Sequence, residues 1–232
     1  MRRSLELASS AAASLLRGGS GTRVGGLGTR PAQPLIVYDF ESCPFCRKAR
    51  EALSILDLPV EVRPCPKRGR RFRDELVERA GKEQFPYLVD PNRGEELYES
   101  DDIVDYLFAQ YGNRPAPGHL KGPLPLITGS LASLVRMQAG TFSEPSRAPA
   151  EPLALWSFEA SPFCRLVREK LCVLELPYRL HNVAKGSAAR ENLLERAGKI
   201  QVPYLEDPNT GAHLFESADI LRYLQENYAA TA

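Results

Sequence analysis

The stretch ESCPFCRKARE, residues 41–51, decides the fold because the chain writes it twice: EASPFCRLVRE follows at 159–169. The offset of 118 aligns Glu41 with Glu159, Cys46 with Cys164 and Pro59 with Pro177. One deletion later, at an offset of 117, ERAGKEQFPYLVDPNRG (78–94) matches ERAGKIQVPYLEDPNTG (195–211), and LYESDDIVDYL (97–107) matches LFESADILRYL (214–224). A tandem duplication of a unit of about 80 residues is the first conclusion. The copies differ where the chemistry would sit, Cys43 in the first against Ser161 in the second.

The repeat reaches further back. ASLLRGGSGT (13–22) matches ASLVRMQAGT (132–141) at six of ten positions. Residues 1–30 hold five arginines, several serines and the single acid Glu6, the composition of an organellar transit peptide. A targeting peptide has no reason to resemble an internal segment, so an ordered helix ahead of each unit is expected. Ala8, Ala12, Leu15 and Leu16 correspond to Ile127, Leu131, Leu134 and Val135, spaced i, i+4, i+7, i+8. That stripe is expected to add burial to the helix's own unit. The boundaries are 1–34, an N-terminal helical segment; 35–112, the first unit; 113–152, a linker with a helix; and 153–232, the second unit.

Within each unit the order is βαβ followed by ββα. PLIVYDF (34–40) and PVEVRPC (59–65) read as strands flanking a helix whose apolar positions are Phe45, Ala49, Ala52, Leu53 and Leu56. A crossover helix makes those strands parallel. A second helix covers roughly 70–80. PYLVD (86–90) and EELYE (95–99) flank the turn Pro91-Asn92-Arg93-Gly94. A last helix is expected to start with Ser100 as its N-cap, with Asp101 and Asp102 in the first turn. The two units are expected to join face to side.

Composition narrows the function. Thirty Lys+Arg balance 29 Asp+Glu, so nothing electrostatic points to nucleic acid or to an anionic membrane. No apolar run approaches a membrane span. Five cysteines, an odd number, suit a reducing compartment, bacterial cytoplasm first and plastid second.

Cys43-Pro44-Phe45-Cys46 falls where a strand becomes a helix. With Pro44 at the first helical position, Cys43 caps the helix and faces its unpaired N–H groups, which favour a thiolate. Cys46, one turn on, is placed to resolve a mixed disulfide formed at Cys43. Zinc needs four ligands; there is no second CxxC, and none of the three histidines is paired, so no metal is expected. Cys65, at the end of the second strand, reads as a third redox thiol or as a small buried residue.

CPFC after the first strand, QFPYLVD with Pro86, and ESDDI opening the last helix resemble the thioredoxin fold, in the form of glutaredoxins and glutathione S-transferase N-terminal domains. The resemblance covers roughly 35–111 and 153–228 and implies an α/β chain of two such domains; the longer repeat places a helix before each. It implies a cis-proline at Pro86, with the Phe85 backbone beside the Cys43 sulfur to pair with the cysteinyl part of glutathione. It also implies that Glu99 and Ser100 hold the γ-glutamyl group. The implied activity is glutathione-linked thiol–disulfide exchange on glutathione mixed disulfides or protein disulfides, and the implied co-substrate is glutathione. One departure stands out. Glutaredoxins commonly carry a lysine three residues before the first cysteine, where this chain has Phe40 and, in the second unit, Phe158. The run Lys67, Arg68, Arg70, Arg71 is either a replacement for that carboxylate anchor or a solvated basic face.

In the second copy, Ser161 cannot form a disulfide. Cys164, Val202, Pro203, Glu216 and Ser217 complete a second site whose role is a binding or structural one. Some glutathione transferases place a serine at this helix start, so a transferase using Ser161 is an alternative. Set against it is the expectation that the family's large all-helical second domain is missing. A third reading is a non-catalytic protein-binding module. Substrate, reductant and oligomeric state are not legible.

Overall fold

The computed structural model describes residues 2–230; Met1, Thr231 and Ala232, at the outer ends of the expected boundaries, lie outside the described residues. The first unit runs β1 (Leu35–Asp39), α2 (Pro44–Ile55), β2 (Val60–Pro64), α3 (Arg71–Ala80), β3 (Tyr87–Asp90), β4 (Glu95–Leu97) and α4 (Ser100–Tyr111), behind α1 (Arg2–Leu15). The second repeats it as β5 (Leu153–Ser157), α6 (Pro162–Val173), β6 (Tyr178–Asn182), α7 (Ala189–Ala197), β7 (Tyr204–Asp207), β8 (Ala212–Phe215) and α8 (Ser217–Tyr228), behind α5 (Pro123–Val135). These are two tandem thioredoxin-fold units, each preceded by a helix.

The units meet edge to edge, not face to side. One eight-stranded sheet runs β4-β3-β1-β2-β6-β5-β7-β8. At its centre β2 and β6 pair antiparallel, with Val60 opposite Leu180, Glu61 opposite Arg179 and Val62 opposite Tyr178. Glu61 and Arg179 are repeat-equivalent, so an internal pseudo-twofold axis passes between them. The pairing has a plain cause. Each unit taken alone would leave β2 or β6 as an open edge, and the mutual ladder satisfies both.

Strand alternation divides the core. Leu35, Val37, Leu153 and Leu155 point toward α2, α4, α6 and α8, where one apolar cluster continues through both units. On the opposite face Tyr38 and Tyr87 pack with Phe72 of α3, and Trp156 and Tyr204 with Leu193 of α7. Gly81 and Gly198 end α3 and α7 in the left-handed region, at φ 76° and 73°. A β-carbon there costs about 1 kcal/mol.

The preceding helices are exchanged. α1 packs on α6 of the second unit and α5 on α2 of the first, and α1 and α5 pack on each other. Their connecting straps cross as well: Arg23 bridges Lys185, and Lys67 bridges Phe142. Thus α1 packs chiefly on the other unit, touching its own where the Ala13 carbonyl accepts from Arg47, and the expected stripe is not its packing face. Leu15 is 79% exposed. Ser10, Ala13, Gly129, Ala132 and Ser133 are buried instead. The helix starts leave too little room for large side chains: a β-carbon on Gly129 would lie 3.1 Å from the Pro44 β-carbon. Phe45, read as a core position of α2, is also largely exposed.

Candidate active site

The strand-to-helix turn after β1 builds the site. Cys43 has φ −73° and ψ 122°, non-helical values, while Pro44 occupies the first turn, where its missing N–H costs nothing. The Cys43 sulfur therefore turns back over the helix start and accepts the Cys46 amide at 3.4 Å. The neighbouring Cys46 thiol is the main reason the Cys43 thiol lies below its ordinary value. Burial opposes the shift; the Cys46 and Phe45 amides and the Arg50 guanidinium reinforce it. The Cys46 thiol is pushed well up, by burial first and by the neighbouring Cys43 sulfur second. One sulfur is thus poised to ionise and its neighbour to stay protonated.

The other expected residues are joined to this turn through a ring of contacts. The Cys43 amide donates to the Phe40 carbonyl at 3.1 Å. The Phe40 ring meets Phe85 edge-on, with centroids 6.0 Å apart. The Phe85–Pro86 peptide bond is cis, as is Val202–Pro203. Beside Phe85, the Gln84 side-chain amide donates to the Glu99 carboxylate. Glu99, not Ser100, is the N-cap of α4. Its φ of 61° is unusual for a residue with a β-carbon, a local strain of the kind stored at binding sites. Ser100 is the first helical residue and is buried. The ring closes through the ion pair of Lys48 on α2 with Asp101 on α4. Asp101 was read from the sequence only as a first-turn acid and Lys48 not at all, and the spacing offers no signal for the pair, because they lie 53 residues apart on different helices.

The basic run divides. Arg71 donates to the Leu174 and Glu175 carbonyls of the second unit. Arg68 lies over the Phe142 ring, and Arg70 makes an exposed pair with Asp74. Arg73, just past the run, sits 4.7 Å from the Phe85 ring centroid, but its nitrogens already donate to Cys65, Pro66 and Glu83. Cys65 is fully buried and burial pushes its thiol well up, the behaviour of an inert packing residue.

The second turn reproduces the first. Ser161 has φ −70° and ψ 121°, and its hydroxyl accepts the Cys164 amide at 3.3 Å. Gln201 donates to Glu216, which has φ 63°. The Ser217 hydroxyl is buried and has no partner among the described residues. Leu166 and Ala218 replace Lys48 and Asp101, so the cross-brace is lost. One cavity in this unit, of about 500 Å³, lies on the other sheet face, lined by Trp156, His181 and Asn192, away from Ser161.

Both sites lie under the exchanged helices. Ser133 on α5 donates to the Ser42 carbonyl at 2.6 Å, and Ser14 on α1 to the Ala160 carbonyl at 2.7 Å. Cys43 retains 5% exposure. No group of three or more metal-ligating side chains occurs among the described residues, nor any helix long and apolar enough to cross a membrane.

A solved structure of a glutathione transferase from Bombyx mori is 26% identical over 37% of this chain and 39% of its own, with a TM-score of 0.32. The chain thus spans about two fifths of that relative's length. A search of curated proteins gave no match. The family model for the glutathione S-transferase N-terminal domain matches residues 37–115 and again 155–232. Two matches over most of the sequence mean that the chain belongs to the glutathione S-transferase N-terminal domain family and carries that domain in tandem.

Proposed function

We propose that the protein is a glutathione-linked thiol–disulfide oxidoreductase, with residues 35–112 as its catalytic unit. The supporting observation is the split between two adjacent sulfurs: Cys43 below its ordinary pKa, Cys46 well above. The Cys43 thiolate attacks a mixed disulfide, bonding one sulfur and releasing the other as a thiolate. Cys46 then loses its proton and attacks Cys43, expelling the bound thiol and closing the Cys43–Cys46 disulfide. Two glutathione molecules return the pair to dithiol and leave as glutathione disulfide. Phe85 and Pro86 position the disulfide, and Glu99 and Ser100 receive the γ-glutamyl group at the start of α4. Five free thiols suit a reducing compartment such as cytoplasm.

The test is reduction of a glutathione mixed disulfide. Cys43→Ser is expected to abolish it and Ser161→Ala to leave it intact; full activity in Cys43→Ser overturns the reading. A transferase using Ser161 is the second reading. It is favoured by the matched backbone at 161 and by the unpartnered Ser217 hydroxyl, which a ligand at that helix start would satisfy. Conjugation of glutathione to an electrophile, lost in Ser161→Ala, would select it. In the absence of either, residues 153–232 act as a binding or structural copy.

A further inference from the structure

α5 is inside out. Its 13 residues carry no ionisable side chain. Pro125, Gly129, Ala132 and Ser133 face inward and are buried. Leu124, Ile127, Leu131 and Leu134, spaced i, i+3, i+7, i+10, form an outward stripe and are 64, 58, 46 and 60% exposed. A helix at a protein surface normally shows the reverse, with large apolar groups in and polar groups out. α1 repeats the inversion, burying Ser10 and Ala13 while exposing Leu5 and Leu15. Because α1 and α5 pack on each other as an outer layer over α2 and α6, the two stripes lie on neighbouring helices. Large apolar side chains exposed on two neighbouring helices mark a contact surface.

We propose that this two-helix face is the interface with a second copy of the chain. The internal pseudo-twofold that relates β2 to β6 also relates the two helices. Arg17 pairs with Glu51 just as Arg136 pairs with Glu169, and Ser14 and Ser133 hold equivalent carbonyls. The face therefore nearly maps onto itself, and a copy turned over about a perpendicular axis meets matching stripes in a four-helix layer, an isologous contact. Covering both stripes removes on the order of 800 Å² from water on each copy, the share one partner gives to a standard interface. Charge argues against a bilayer as the occupant. Interfacial membrane helices carry cations on the polar face. α5 has none, α1 has only Arg2 and Arg3 in its first turn, and Arg17 and Arg136, just past the helix ends, are turned inward to buried carboxylates.

Light scattering on the full chain tests this. The wild type is expected at twice the 25.7 kDa chain mass. The variant Ile127→Glu/Leu131→Glu is expected at the chain mass, with its dissociation constant raised at least about 100-fold. Its far-UV spectrum and Cys43 alkylation rate should match the wild type. A wild type that stays at the chain mass up to roughly 100 μM, a far weaker affinity than such an area supports, overturns the proposal. So does a variant that remains dimeric. If the double variant loses helical signal, Leu15→Lys/Leu134→Lys at the far end of the stripes asks the same question. Co-sedimentation of a monomeric wild type with phosphatidylcholine vesicles would assign the face to a lipid surface instead and overturn the second-copy reading.

Discussion

Positions 43 and 161 present nearly the same backbone to the same kind of helix start, and differ by sulfur against oxygen. The surroundings are matched too: Cys164 stands for Cys46, Arg168 for Arg50, and Ser157 removes the carboxylate that Asp39 places near the first pair. Ser161→Cys is therefore expected to create a second low-pKa thiol. Mass spectrometry after brief iodoacetamide treatment near neutral pH should find one fast-labelled cysteine in the wild type and two in the variant. The cause of the first shift is open to a sharper check. Since the Cys46 thiol is the main cause of that shift, Cys46→Ala is expected to raise the Cys43 pKa, and Cys46→Ser, which keeps a hydroxyl donor, to raise it less. Thiolate absorbance near 240 nm reads both. At this scale the sequence was informative, because an N-cap followed by proline is a local pattern. Lys48–Asp101 and Gln84–Glu99 were not legible, since each joins residues that only the tertiary fold brings together.

Helices and strands were readable from periodicity, but periodicity alone did not say which way a stripe faces. Ala8, Leu15 and Leu16, with their partners in α5, have the spacing of a buried stripe, and the usual rule turned it inward. What decides the orientation is the small face opposite, where Gly129 approaches Pro44 and Ser133 reaches the Ser42 carbonyl. That face fits the crowded start of α2; a leucine face does not. Gly129→Leu is expected to push α5 off α2, at a cost of about 1–3 kcal/mol for overpacking. Urea unfolding should show the lower midpoint. Alkylation of Cys43 should also quicken, since α5 holds the residues on either side of it. A stability loss without faster alkylation would mean that α5 supports the fold but does not cover the thiol.

In the whole molecule, the two copies of the opening motif meet. Arg50 and Arg168, each fully buried, lie between Glu41 and Glu159: Arg50 reaches Glu159 at 3.2 Å and Arg168 reaches Glu41 at 2.9 Å. Arg47 adds a third cation beside Glu159. The spacing of ESCPFCRKARE held these residues in view, and each arginine also meets the glutamate of its own unit, Arg168–Glu159 at 3.0 Å and Arg50–Glu41 at 3.5 Å. The crossed pairs are completed from the other unit, so one copy read alone could not disclose them. Buried charges of this kind do more for specificity of assembly than for net stability, but removing one partner strands the others. Glu159→Gln is accordingly expected to destabilise the chain by about 3–5 kcal/mol at neutral pH. Its pH dependence follows from linkage. Burial works against ionisation of Glu159, but Arg168, Arg50 and Arg47 outweigh it and hold the carboxyl at about 2, below the unfolded value of about 4.3. The folded state therefore binds fewer protons at this group between those values. Its contribution is complete above about pH 4.3 and is lost as pH falls toward 2. The gap in unfolding free energy between wild type and Glu159→Gln should be widest at pH 7 and should narrow steadily between pH 4 and 2, measured by urea titration at each pH. Glu169, raised mainly by burial, titrates in the opposite sense but is common to both proteins and drops out of the difference. Asp39, raised by burial first, is raised further by Glu159, so that part of its shift goes with the substitution and belongs to the difference. A gap that stays constant down to the lowest pH would mean that the glutamate acts there by packing, and that the charge pairing does not hold the two units together.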